Sequence, residues 1–422
     1  MKLDERRETK DERLCHPERS EGSKTILSEV CEFIVDCPHS TANDEGAGYP
    51  LVRTPNVGKG RLVYNDMHRV SEDVYNQRNF RAVPQEDDLI FAREAPAGNV
   101  ALIRKGEKVC LGQRTVLLRP NKQKVDPSFL TYYLLAPKQQ YGLTGTANGA
   151  TVAHVNMPTI RNLAIELPDI KIQRKLGGIL SAYDNLIENN QKQIKLLEEA
   201  AQRLYKQWFI DLRFPGHETT PIVDGLPQGW RKDRADSFFN ITIGKTPPRA
   251  EKQWFTEDGN GIPWISISDM GADSAFLFET SEGLTIEAIK RHNVKIVPAN
   301  TVLLSFKLTV GRVSITSTEM CTNEAIAHFV TNDDSLREYT YCYLKNFHYD
   351  ELGSTSSISK AINSKIVKAM PFIMPCEEVL IQFHNLMNPI FKEVFTKQKQ
   401  ILSLKQSRER LLPRLMSGEI CL

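Results

Sequence analysis

Apolar residues return along one stretch of the chain at Leu176, Leu180, Tyr183, Ile187, Ile194, Leu197, Ala201, Leu204 and Trp208. The steps are those of a coiled-coil heptad, not of a strand. One seam row holds Gln173, Leu180, Ile187, Ile194, Ala201 and Trp208; the other holds Leu176, Tyr183, Asn190, Leu197 and Leu204. A helix over Ile172 to Phe209 would be about 57 Å long at ~1.5 Å per residue, too long to lie within one ordinary domain.

An offset of 207 residues lands on a second copy, with Pro168 answered by Pro375. The seam rows become Leu380, Met387, Val394, Ile401, Arg408, Leu415 and Phe383, Ile390, Lys397, Leu404, Leu411. Upstream, Asn156 maps to Asn363 and Ile160 to Val367. The chain therefore reads as a duplicated half, each half a globular unit followed by a long helix.

Ahead of each long helix the period changes. Leu51-Val52-Arg53, Leu89 to Ala92, Val100 to Ile103 and Thr115 to Leu118 are short β-rich runs between turns. Asp126-Pro127 then predicts a helix over Ser128 to Leu135, with Asp as cap and Pro in the first turn. The second half repeats the order in Pro263 to Ile267, Thr301 to Ser305, Val313 to Ile315 and a helix over Leu336 to Phe347. Gly98-Asn99-Val100 pairs with Gly311-Arg312-Val313, and Cys110 to Gln113 with Cys321 to Glu324.

These patterns predict an α+β fold in five parts: a charged, disordered tail over 1–24, a mixed α/β domain over 25–167, and a long helix over 168–214. A second domain follows over 215–374 and a second long helix over 375–422. Residues 15 to 23 resemble translated intergenic repeat DNA, so an over-extended start is a second reading of the tail. Pro413 is expected to kink or end the last helix before Met416.

Composition changes this picture little. The 422 residues carry a net charge of +2, so any nucleic-acid reading must rest on local clusters. No apolar run approaches the ~18 residues of a membrane span, and a cytoplasmic protein with reduced thiols is expected. The eight cysteines form no CxxC pair, and the nine histidines lack a metal-ligand spacing. Gly244-Lys245-Thr246 lacks the earlier glycine of a Walker A loop, because position 239 is Phe. No methyltransferase or dinucleotide signature is present, so the chain reads as non-catalytic and free of cofactors.

Binding remains. Arg53, Lys59, Arg61, Arg69, Arg78 and Arg81 outnumber Asp66, Glu72 and Asp73 by three. In the second half Arg231, Lys232, Arg234, Lys245, Arg249 and Lys252 outnumber Asp233, Asp236 and Glu251 by three. Tyr49, Tyr64, Tyr75, Trp254 and Phe255 interleave. Such clusters suit phosphates and base edges; a solvated loop surface is the alternative, and matched placement in both repeats favours DNA. The candidate contacts are Arg53, Lys59, Arg61, Arg78, Lys245, Arg249, Lys252, Lys307 and Arg312. The loops 144–151 and 353–359 read equally as phosphate-binding turns or as plain caps.

The chain after the tail resembles the specificity subunit of type I restriction-modification enzymes. The resemblance rests on Gly244-Lys245-Thr246-Pro247-Pro248, Ile262 to Ser266, Gly311-Arg312-Val313, Thr322 to Ala327, Leu167-Pro168 with Gln173 to Leu176, and Leu411 to Ile420. The first domain departs most from the pattern. The resemblance implies two target-recognition domains and two long helices forming an antiparallel intramolecular coiled coil, with a domain at each end. It implies a bipartite, asymmetric site on double-stranded DNA. It also implies two modification subunits that methylate adenine with S-adenosylmethionine, and restriction subunits that use ATP and magnesium. A coiled-coil scaffold without sequence-specific DNA recognition is the alternative. Apolar residues off the seam, Tyr205, Phe209, Phe391, Phe395, Leu402 and Leu412, are the expected partner-docking positions, with Leu186 and Leu386 expected to pack on the chain's own domains.

Overall fold

The computed structural model describes residues 23–145, 154–257, 260–271, 275–352 and 362–420. The chain divides into two compact units, Met1–Glu188 with Ser403–Leu422, and Asn189–Leu402.

In the first unit the near-continuous apolar runs form a four-stranded antiparallel sheet. Its order is Cys31–Asp36, Thr115–Pro120, Leu89–Ala92, Val100–Leu102. Alternate residues divide between two cores. Leu89, Phe91, Val100, Leu102, Val116 and Leu118 face one cluster, and Ile90, Ala92, Ala101 and Leu117 face another. A strand covered on both faces has no polar side, which is why these runs lack alternation. The first cluster is covered by the helix Pro127–Leu135, whose Asp126 cap accepts from the Phe129 N–H at 2.9 Å, and by Leu176 and Leu180 of the long helix. The second is covered by a small sheet in which Leu51 and Val52 pair in parallel with Cys110 and Leu111. A two-stranded clasp, Ser23–Ile26 against Ala164–Leu167, leads into the first long helix. It takes in Ser23 and Lys24, so folded structure extends two residues ahead of the expected boundary at Thr25.

The second unit repeats this topology. Its main sheet runs Asn240–Ile243, Ile326–Val330, Val302–Ser305, Val313–Thr316, with Phe276–Leu277 added at the edge. Trp264 and Ile265 pair in parallel with Cys321 and Thr322, as Leu51 and Val52 do with Cys110 and Leu111. The clasp is Arg231–Arg234 against Pro371–Met374, again directly before a long helix. The shared asparagines are helix caps: Asn156 Oδ1 accepts from the Thr159 N–H, and Asn363 Oδ1 from those of Lys365 and Ile366.

The long helices span Ile170–Tyr205, continued by a π-helical turn over Lys206–Ile210, and Glu377–Met416. The second helix passes through both Pro389 and Pro413 and runs to Met416, so of the kink or stop expected at Pro413 the stop does not occur. Leu411, Leu412 and Met416 pack on the first unit's core around that proline, and Ser417 closes the last turn on the Pro413 carbonyl at 2.9 Å.

Within the first unit, Leu176 and Leu180 share a core with Leu415, and Asp184 pairs with Arg408. Within the second, Asn190 donates to Gln400 at 3.2 Å, while Trp208 and Phe209 pack on Phe383. In each unit the two helical segments therefore run in opposite directions. The row holding Gln173, Leu180, Ile187, Ile194, Ala201 and Trp208 is buried throughout. A third row beside it is also largely covered, by the globular domains. Gly177 lies against the Phe129 amide, Asp184 accepts from the Tyr132 hydroxyl, and Phe391 packs on Phe276 and Tyr341.

That third row corrects the docking assignment. Tyr205, Phe209 and Phe391 are buried in the second unit, where Tyr339 meets the first two. Phe395 meets the Phe276 ring edge-on and the Phe278 ring at a tilt, Leu402 is partly buried, and Leu412 packs against the first unit's core. Leu186 and Leu386, assigned to internal packing, are instead 52% and 51% exposed. A helix lodged between a partner helix and a domain buries two sides, not one stripe, and the seam pattern alone does not say which second side.

Candidate nucleic-acid interface

In the second unit the strand Asn240–Ile243 ends at Gly244, where the chain crosses the Thr322-Asn323 loop. A side chain at Gly244 would lie 2.0 Å from Thr322 Oγ1 and 2.1 Å from the Asn323 carbonyl, so only glycine permits the crossing. The next residue is then held by its backbone. The Lys245 N–H donates to the Thr322 carbonyl at 2.9 Å, and the Lys245 carbonyl accepts from the indole of buried Trp264 at 3.3 Å. Pinned this way, Lys245 turns its side chain to solvent.

Around it the Thr246 hydroxyl donates to Glu324. Burial pushes the Glu324 carboxyl up, but the Thr246 bond and the nearby Lys307 and Arg249 cations outweigh it and hold the group below its usual value. Arg249 lies over the rings of Phe255 and Trp264, at 4.3 and 4.5 Å, and bridges to Glu282 at 2.7 Å. Lys252 borders the same concavity with Phe255, Thr256 and Glu257. Lys245, Arg249, Lys252 and Lys307 are thus exposed cations set on a rigid frame. Arg312 is not among them, since its guanidinium donates to the Ile267 carbonyl at 2.7 Å and holds a loop.

Beneath the frame, His328 is fully buried between the Thr242 and Thr322 hydroxyls, at 2.8 and 2.7 Å. Burial pulls its pKa down to about 4, leaving a neutral ring that ties three strands together.

The first unit uses its arginines differently. Arg78 is 5% exposed and donates to the carbonyls of Leu111, Ser40 and Pro38, so it is a structural clamp and not a DNA contact. Arg61 donates to Asn185 on the long helix at 3.0 Å. Lys59 is exposed, and Arg53, donating to the Asp66 carbonyl at 2.7 Å, borders a surface concavity with Thr41, Thr54, Gln113 and Arg114.

Sequence reasoning passed over Arg114 and Arg93. Arg114 pairs with Glu94, which also meets His154; Arg93 bridges to Asp36 at 2.9 Å and donates to the Val155 carbonyl. The repeats Gly98-Asn99-Val100 and Cys110 to Gln113 flank both arginines and were the available signal. Of the two loops read as possible phosphate turns, 146–151 and 353–359 lie outside the described residues. Among the described residues, no group of His, Cys, Asp or Glu is arranged to hold a metal ion, and no helix is long and apolar enough to cross a membrane.

Two cation-bearing surfaces on matching frames, the second with aromatic rings beside its cations, agree with what the chain is similar to. The profile of the type I restriction modification DNA specificity domain matches residues 24–199 and again 227–404. The MjaIX type I restriction enzyme specificity subunit of Methanocaldococcus jannaschii is 26% identical, over 89% of this chain and 87% of its own. The HindI specificity subunit of Haemophilus influenzae is 23% identical, over 80% and 87%. Among solved structures, the type I restriction-modification S subunit from M. genitalium shares the fold, with a TM-score of 0.56 at 13% identity over 95% of this chain and 98% of that one. With one copy of the domain in each half, the chain belongs to the family of type I restriction-modification DNA specificity subunits, whose part in those complexes is recognition and not catalysis.

Proposed function

We propose that this chain reads a bipartite, asymmetric site on double-stranded DNA and positions adenine-methylating and restriction subunits on it. One observation carries the reading: the two domains share strand order and register but not their loop side chains. Lys245, Arg249, Lys252 and Lys307 occupy the exposed surface of one, and Arg53, Lys59 and Arg114 that of the other. Equal frames with unequal surfaces suit two different half-sites. The long helices act as a coiled-coil spacer between them.

Two modification subunits dock on the helices through apolar side chains that the chain leaves uncovered, Leu186, Leu196 and Leu386. S-adenosylmethionine, ATP and magnesium belong to the partner subunits, and the complex works in the cytoplasm. The test is to express the chain with its modification subunits in a host lacking adenine methylation and to sequence the methylated adenines. A single motif of two unlike halves with a fixed gap is expected. A palindromic motif, or methylation without sequence preference, would overturn the reading.

A further inference from the structure

Between the strands Val302–Ser305 and Val313–Thr316 the second unit carries a tight loop with Leu308 at its tip. Leu308 is 96% exposed, the most exposed large apolar side chain among the described residues, and its φ of +60° is one that branched side chains rarely adopt. The loop is not slack. The Gly311 N–H donates to the Ser305 carbonyl at 3.0 Å, the Arg312 N–H to Ser305 Oγ at 3.0 Å, and the Ser305 hydroxyl to the Thr309 carbonyl. Arg312 ties the base to Ile267, Phe306 is buried beneath, and Gly311 closes on the Tyr349 ring, where a Cβ would meet it at 3.1 Å. A rigid frame thus holds an apolar group in water.

The first unit builds the same loop. Its Gly98 N–H donates to the Ala92 carbonyl and Gly98 has the same φ of +88° as Gly311, while Ala95 stands where Leu308 does. There Glu94, tied to Arg114 and His154, replaces Lys307. One tip is therefore cationic and apolar, the other small and acidic.

We infer that Leu308 contacts a thymine methyl in the major groove, with Lys307 on an adjacent phosphate, as a specificity contact of the second domain. The inference rests on the DNA-reading function proposed above. A two-stranded ribbon fits the major groove, and the thymine C5-methyl is the one apolar group on the base edges there. The loop also stands beside the Lys245–Glu324 surface, since the Phe306 N–H at its base donates to the Ala325 carbonyl at 2.9 Å.

The experiment uses the complex with its modification subunits and duplexes carrying the mapped site, each thymine replaced singly by deoxyuridine, which lacks only the methyl. At one thymine the wild type is expected to bind about fourfold more weakly, the worth of one buried methyl group, while Leu308→Ala is indifferent to the change. Identical profiles for wild type and Leu308→Ala overturn the inference. So does a Leu308→Ala chain that no longer retains its modification subunits on gel filtration, which would mark a protein contact. A 2-aminopurine unstacking signal abolished by Leu308→Ala would mark a wedge between bases instead and also overturn it. A wild-type complex that selects no site removes the functional reading itself, before any variant is compared.

Discussion

Arg408 of the second long helix forms an ion pair with Asp184 of the first, a buried carboxylate that also accepts from the Tyr132 hydroxyl at 2.6 Å. One side chain thus ties both helical segments of the first unit to its sheet domain. Arg408→Ala would leave that carboxylate without its cation, at a cost of about 3–5 kcal/mol. Denaturant unfolding measures it. The pair Asp184→Leu with Arg408→Met should recover much of the loss, because no stranded charge remains.

His328 sets a pH limit. Its folded pKa lies near 4, against an ordinary 6.5, so the unfolded chain binds the proton more readily. Its contribution is fully present above about pH 6.5 and is lost as pH falls towards 4, to a total on the order of 3 kcal/mol. His328→Gln should flatten that limb of a stability–pH curve; an unchanged slope between pH 6.5 and 4 would assign the acid sensitivity to other groups.

The cations separate into two experimental classes. Lys245→Ala and Lys252→Ala should each lower the salt dependence of DNA binding by about one unit of slope, with unchanged thermal stability. Arg78→Ala should do the reverse. It removes three hydrogen bonds from a buried guanidinium, costing roughly 2–4 kcal/mol, and should leave the slope of the folded complex intact.

For the helices, Leu196, at 64% exposure, is the discriminating position. Leu196→Asp with Leu186→Asp should reduce the number of modification subunits retained, measured by mass photometry, while circular dichroism stays unchanged. Phe391→Asp should unfold the second unit, since it places a charge among Phe276, Tyr341 and the helix.

Gly244→Ala tests the frame beneath Lys245. The backbone atoms of Asn323 and Thr322 cannot yield by the required ångström, so a destabilisation of several kcal/mol is expected, read as a lowered Tm. A near-wild-type Tm would show that the loop can part from the strand.

The sequence by itself determined the duplication, the two long helices and some of the strands of each domain, but not the sheet strands Cys31–Asp36, Asn240–Ile243 and Ile326–Val330 or the order of strands in the sheets. Those features are written in local period and in residues whose role is local, such as Asn156 and Asn363 capping their own helices. Even the paired loops at Gly98 and Gly311 were visible, because a left-handed turn needs glycine in both copies. Tertiary structure alone decided which arginines are spent and which apolar side chains stay uncovered. Arg78 and Arg53 look alike in the sequence, but one is claimed by carbonyls 33 to 40 residues away and the other borders a surface concavity. Tyr205 and Leu196 both lie off the seam, but only Tyr205 meets the aromatic cluster around Tyr339 and Phe383. A heptad specifies a helix's first buried face; its second is chosen by the domain that comes to rest on it.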